Sequence, residues 1–215
     1  MSRMRSLFAA TLFGAALLSS VHVQAQSAFE AGRDYLVLSP AQSVEQKGKI
    51  EVLEFFWYRC PHCMQFEPEL AAWRKKLGRD VVVVRQPAIL ADHWEPLARV
   101  YYTLEALGAA DRLHAVVFDA VQNQGHNLND PETFFDWAAG QGLNRNRVKD
   151  AYHSFGVASK VNRARQVTRN YRLNGVPAVA VNGKYLTSAS FTGSHARTLE
   201  AVDTLIEQER RAGRR

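Results

Sequence analysis

Ile50-Glu51-Val52-Leu53-Glu54-Phe55-Phe56-Trp57-Tyr58-Arg59-Cys60-Pro61-His62-Cys63 is an apolar run that ends on both cysteines of the 215-residue chain, spaced C-x-x-C. Three chemistries use such a pair. A structural disulfide closing about four residues would constrain the unfolded chain by only about 2 kcal/mol, and a chain of this length buries a sizeable core without such help. A structural zinc site wants four ligands, but here no second C-x-x-C or H-x3-5-H accompanies the pair. Redox chemistry needs only the two thiols, so no bound metal and no cofactor other than a Cys60-Cys63 disulfide is expected.

Outward from the motif, Ile50 to Phe56 reads as a buried strand. Phe66, Leu70, Trp73 and Leu77 follow at helical spacing, with Gly78 placed to end that helix. Val81 to Val84 is an unbroken β-branched run, expected to be a central parallel strand covered on both faces. From Trp94 to about Asn170 the pattern turns to successive helices. Leu97, Val100, Tyr101 and Leu104 face one way in the first; Leu113, Val116, Val117 and Val121 mark the second. Asn129 or Asp130 can cap a third, which Pro131 opens. Val148, Ala151, Tyr152 and Phe155 suggest a fourth, and a longer helix leads back toward Leu173. Ala178-Val179-Ala180-Val181, the turn Asn182-Gly183 and Lys184-Tyr185-Leu186 read as a hairpin. Leu199, Val202, Leu205 and Ile206 build a last amphipathic helix.

The N-terminus carries an address. Arg3 and Arg5, an apolar run over residues 7–18 and Val23-Gln24-Ala25 have the order of a secretory signal, with cleavage expected after Ala25. The run is shorter than the roughly 20 residues needed to span a bilayer. Removing it takes the net charge from +6 to +4. The remaining excess, in Arg163, Arg165, Arg169 and Arg172 and in Arg210, Arg211, Arg214 and Arg215, lacks interleaved aromatics and reads as solvated faces, so no nucleic-acid partner is expected.

Taken together, the signal, Cys60-Pro61-His62-Cys63 after Leu53-Glu54-Phe55-Phe56, the helical stretch, and Gly175-Val176-Pro177-Ala178 ahead of Val181-Asn182-Gly183-Lys184-Tyr185 resemble the DsbA family of bacterial thiol:disulfide interchange proteins. The resemblance covers nearly the whole mature chain. It implies an α/β class, thioredoxin-like fold with an inserted all-helical domain: residues 26–92 plus 165–215 as a discontinuous thioredoxin-like domain and residues 93–164 as the insertion. It also implies a monomeric, soluble periplasmic oxidase acting on unfolded or newly exported cysteine-containing polypeptides. A DsbB-type quinone-linked membrane protein would then restore the disulfide.

Each site residue has a reason of its own. Cys60 should begin a helix, where unpaired N–H groups and the dipole favour its thiolate, and Cys63 would be the partner that leaves when substrate attacks Cys60. A depressed thiol and an oxidising disulfide are both already associated with the DsbA family, so neither expectation is new to this chain. His62 is expected to tune the Cys60 sulfur through hydrogen bonding or charge. Pro61 fixes φ at the helix entry. Arg59 adds a positive neighbour where the family is often apolar, which would favour the thiolate if its side chain points that way. Glu54, in an apolar strand, would by resemblance be the buried acid behind the dithiol, with Arg85 as a candidate partner. Val176 and Pro177 would form the substrate-binding edge, with a cis bond before Pro177 implied by the family. His93, His114, His126, His153 and His195 are scattered singly and receive no role. Two alternatives stay open: a reductase or isomerase of the same fold, for whose usual dimerisation module the roughly thirty mature residues before Cys60 leave no room, and a chaperone or metal-binding module whose C-x-x-C holds Zn or Cu(I).

Overall fold

The computed structural model describes residues 29–213, so the expected signal segment and its cleavage near Ala25 lie outside the described residues. In chain order the elements are β1 (Leu36–Val37), β2 (Ile50–Phe56), α1 (Pro61–Arg74), β3 (Val81–Pro87), a 3-10 turn at Asp92–Trp94, α2 (Glu95–Ala106), α3 (Ala110–Gln122), α4 (Pro131–Gly140), α5 (Arg145–His153), α6 (Phe155–Asn170), β4 (Ala178–Val181), β5 (Tyr185–Thr187), α7 (Ala189–Thr192) and α8 (His195–Ala212).

The strands form one mixed sheet in the order β1-β5-β4-β2-β3. β2 and β3 run parallel, and β4 pairs antiparallel with both β2 and β5. Because side chains alternate along a strand, β2 divides its residues between two cores. Val52 packs with Phe66, Leu70, Val202 and Leu205 of α1 and α8. Leu53 and Phe55 pack on the other face with Ala180, Leu186 and Tyr171. Glu54 shares the parity of Val52 and Phe56, and so faces the side that α1 covers. The helices α2 to α6, all between β3 and β4 in sequence, form the inserted helical layer, and α6 runs unbroken through the boundary expected between residues 164 and 165. Their core, including Leu104, Val117, Phe134, Phe135 and Val148, is continuous with Phe56, Tyr58, Cys60 and Cys63. The dithiol therefore sits on the seam between the sheet-and-helix half and the inserted helices.

Local chemistry explains most of the boundaries. Asp130, Asn144, Ser154 and Ser194 each accept a backbone N–H from three residues on and cap α4, α5, α6 and α8, each cap being worth about 1 kcal/mol. In the β4–β5 hairpin Asn182 and Gly183 both take positive φ, 51° and 67°. A Cβ at Gly183 would lie 2.1 Å from the Gln42 carbonyl oxygen, so only glycine fits there.

Four local expectations need correction. α1 stops at Arg74, leaving Leu77 beyond the helix and Gly78 without a part in ending it. The tight turn at residues 75–80 is needed to bring the chain back alongside β2. β3 is an edge strand with Val82 to Val84 only half-buried, because the hairpin pairs with the other side of β2. The strand read over Val81 to Val84 runs on through Pro87, which puts Arg85 inside β3 and directly opposite Glu54 in the parallel register. Phe155 begins α6 and is 88% exposed instead of facing the core with Tyr152. The two-residue β1 was not anticipated.

Candidate active site

Cys60 takes extended backbone angles and caps α1, with Pro61 as the first helical residue. The Cys63 N–H donates to the Cys60 sulfur at 3.3 Å, and the Cys60 thiol in turn lies 3.3 Å from the Val176 carbonyl oxygen, to which it donates. Cys60 is 9% exposed and Cys63 is fully buried. The two thiols consequently differ sharply. Cys60 is lowered to about 7, led by a hydrogen bond from the Cys63 thiol against the opposing effect of burial, with the Cys63 and His62 N–H groups and the His62 charge adding to it. Burial, the Cys60 sulfur and the charge of Glu54 push Cys63 far up. A helix N-terminus that stabilises a thiolate on its cap and denies one to the residue a turn later makes Cys60 the readily expelled sulfur and leaves Cys63 a thiol that needs a proton when the bridge opens.

The tuning residues fall into place unevenly. His62 is exposed and its Nδ1 lies 3.3 Å from the Gln65 side-chain oxygen. Its backbone N–H precedes its side chain in lowering Cys60, and both come after Cys63. Arg59 and Pro61 are exposed. The Val176-Pro177 bond is cis, and both residues are half-buried beside the dithiol. A groove of about 310 Å³ runs past them, lined by His62, Val176, Pro177, Leu186, Phe191 and His195 among others.

Glu54 is wholly buried. Burial and the neighbouring Glu67 carboxylate raise it to about 8, while Arg85 works in the other direction. Arg85 is the hub of an ion cluster beneath α1: Nε is 3.6 Å from Glu54, Nη2 is 2.5 Å from Glu67, and Nη1 is 2.9 Å from the exposed Asp111. His114 completes the cluster from α3. Tyr58, two residues ahead of Cys60, is 2.9 Å from its Nδ1, and Glu67 is 3.4 Å from its Nε2. Glu54, Glu67 and His114 bring one ligand atom each within 4.8 Å of one another, yet the Arg85 guanidinium occupies the carboxylates, which suits an ion-pair cluster better than a cation site. Gln122, at the end of α3, donates to the carbonyls of Tyr58 and Cys60 at 2.8 and 3.1 Å and fixes the motif loop against the inserted helices.

Sequence reasoning found Glu54 and named Arg85, but passed over Glu67, Gln122 and His114. The signal for His114 was available in kind: it interrupts the apolar face that Leu113, Val117 and Phe118 form, as Glu54 interrupts its strand.

A family model described as a DSBA-like thioredoxin domain matches residues 84–202, more than half of the chain. The chain belongs to the DsbA family. Among its curated DsbA relatives, the "Thiol:disulfide interchange protein DsbA" of Azotobacter vinelandii is 39% identical over 213 residues, covering 97% of this chain and all of that protein. The DsbA of Pseudomonas aeruginosa PAO1 is 37% identical over 99% of this chain. The crystal structure of Pseudomonas aeruginosa DsbA superposes with a TM-score of 0.84 at 38% identity, over 87% of this chain and 97% of that one. NmDsbA1 from Neisseria meningitidis gives 0.78 at 27% identity, over 88% and 98%. Like its DsbA relatives, this chain is a thiol:disulfide oxidoreductase with a thioredoxin-like, helix-inserted fold, and cysteine-containing proteins are its kind of substrate. Among the described residues no helix is long and apolar enough to cross a membrane.

Proposed function

We propose that the chain works in the periplasm as a donor of disulfides, passing the Cys60-Cys63 bond to newly exported polypeptides. The observation that supports this reading most is the inequality of the two thiols, with Cys60 held near 7 while Cys63 is driven up. A substrate thiolate attacks the Cys60 sulfur; the Cys60–Cys63 bond breaks, its electron pair stays on Cys63, and that sulfur takes a proton. A second substrate thiolate then attacks the substrate sulfur of the mixed disulfide and expels Cys60 as a thiolate. The substrate leaves with a new disulfide, two electrons poorer, and the protein is left as the dithiol. Because the Cys60 thiolate is stabilised, that dithiol lies low in free energy and the bridge is a good oxidant.

Glu54 serves Cys63 in this scheme. A carboxyl that exchanges its proton near neutral pH can supply one to the leaving sulfur and accept it back on reoxidation. Pro61 fixes the helix entry, and His62 and Arg59 face the solvent from which substrate arrives. The Val176 carbonyl is already a partner of Cys60, and with Pro177 it offers a backbone edge that reads an extended segment without reading its side chains. A quinone-linked membrane protein of the DsbB type restores the bridge, and the protein acts as a monomer.

The direct test is a pair of variants assayed for oxidation of a reduced, unfolded two-cysteine protein. Cys60→Ser should abolish the activity; Cys63→Ser, with no bridge to donate, should abolish it too, and its Cys60 thiolate should instead be trapped as a mixed disulfide when the disulfide-bonded form of the same protein is offered, one substrate cysteine leaving as the thiolate. Full activity of Cys60→Ser would overturn the reading.

A further inference from the structure

His114 is 1% exposed, and it reaches the dithiol region from the inserted helices rather than from the thioredoxin-like half. Its two ring nitrogens face different groups. Nδ1 meets the Tyr58 hydroxyl at 2.9 Å, and Nε2 meets Glu67 Oε2 at 3.4 Å. A phenol is the better donor, so the neutral ring accepts from Tyr58 at Nδ1 and carries its proton on Nε2, the nitrogen on the Glu67 side. Phe56 and Phe118 box the ring edge-on at 4.7 and 5.1 Å, and Tyr101 of α2 stands 6.1 Å away, so it has little room to turn. The charged groups around it are Glu67 and Arg74 from α1, Arg85 from β3, Glu54 from β2 and, on α3 itself, the Asp111 that Arg85 reaches.

We propose that His114 is a positioning residue of the dithiol: aimed by the Tyr58 hydroxyl, its Nε2–H holds Glu67 as the anion of the buried carboxyl pair and leaves the pair's proton on Glu54, behind Cys63. The inference rests on the role assigned above to Glu54. Two carboxyls this close to one guanidinium cannot both ionise easily, so the group that receives the extra donor keeps the charge. Glu67 accepts from Arg85 Nη2 on one oxygen, and its other oxygen faces His114 Nε2 at 3.4 Å, two buried atoms with no other hydrogen-bond partner, while both Glu54 oxygens lack a donor. Accordingly Glu67 is lowered despite its burial, with His114 and Arg85 as the causes, and Glu54 is raised in part by Glu67. His114 is itself held low by burial, so it acts as a neutral donor across the working range.

The experiment is a carboxyl carbon NMR titration of Glu67 in the reduced protein, assigned with Glu67→Gln, for the parent, His114→Leu and His114→Gln. Leucine removes the donor at similar bulk; glutamine retains an N–H near the Nε2 position. A hydrogen bond to a charged group corresponds to about tenfold or more in proton affinity. In His114→Leu the Glu67 affinity for its proton should rise about tenfold, moving its ionisation up from its lowered position, and His114→Gln should keep the parental titration. Tyr58→Phe, which leaves the ring stack in place and removes only the hydroxyl, should move Glu67 in the same direction by about threefold, and it decides the matter if the leucine variant does not fold. A parental titration in folded His114→Leu or in Tyr58→Phe would overturn the proposal, as would an equal rise in the leucine and glutamine variants. The readout follows a carboxyl rather than the thiols, so it stands apart from any failure of the disulfide-donor reading, which the glutathione equilibrium reports.

Discussion

Unfolding the reduced chain in urea from pH 6 to 9, beside the same chain with Cys60 and Cys63 bridged, isolates the ionisation of the thiols. Most other titrating groups are common to the two forms and largely cancel in the difference. Cys60 has a folded value of about 7 against an unfolded value of about 8.5. A lowered group stabilises fully above its unfolded value and loses that contribution as pH falls through the folded one. Between pH 6 and 8 the reduced form should therefore gain on the bridged form by about 1 kcal/mol, or about half of that once screening at the partly solvated sulfur is allowed for. Cys63 has the opposite sign: its folded value is raised, so above about pH 8.5 the unfolded chain ionises first and the advantage declines. The difference should thus rise, peak between about pH 8 and 8.5, and fall. Thiolate absorbance near 240 nm, titrated in the folded reduced protein, checks the same quantity without unfolding and should show its midpoint near pH 7. A difference that is flat or falling from pH 6 to 8, with a thiolate midpoint above 8, would refute the account of Cys60.

Two further substitutions probe the surroundings. Glu54 is protonated when folded up to about pH 8 and ionised when unfolded above about 4.3, so it costs stability increasingly as pH rises between those values. Glu54→Gln should be more stable than the parent by about 2 kcal/mol at pH 7, with the gap closing below about pH 5 in urea titrations; a less stable variant at pH 7 would contradict the burial argument. Gly183→Ala places a Cβ 2.1 Å from the Gln42 carbonyl at a φ of +67°, and should cost about 2 kcal/mol or more in thermal unfolding while the glutathione equilibrium stays at the parental value.

What could be read from the chain before any coordinates was what depends on short-range order. β2, the helix start at Cys60, the capped α4 and the Asn182-Gly183 hairpin all follow from residues within a few positions of each other. The end of α1 and the edge position of β3 depend on which strand takes the other side of β2, and that is decided by a hairpin almost a hundred residues further on. The ion cluster was half legible for the same reason. Glu54 stood out because a carboxylate in an apolar strand needs a partner, but Glu67 looked like an ordinary polar position of α1. His114 looked like one histidine among several. Only packing α3 against α1 and the motif loop puts Tyr58, Glu67 and His114 in contact. Gln122 carried no sequence signal at all, since its role consists in reaching two carbonyls that the fold brings to it.

The equilibrium of the Cys60-Cys63 disulfide with glutathione, followed by intrinsic fluorescence and by trapping of free thiols, tests the donor role most directly. The account predicts a potential well above the about −270 mV of thioredoxin and above that of the glutathione pool, so that the bridge is lost at low glutathione. A potential at or below thioredoxin's would contradict it, and would assign this fold and this pair of thiols to reduction instead.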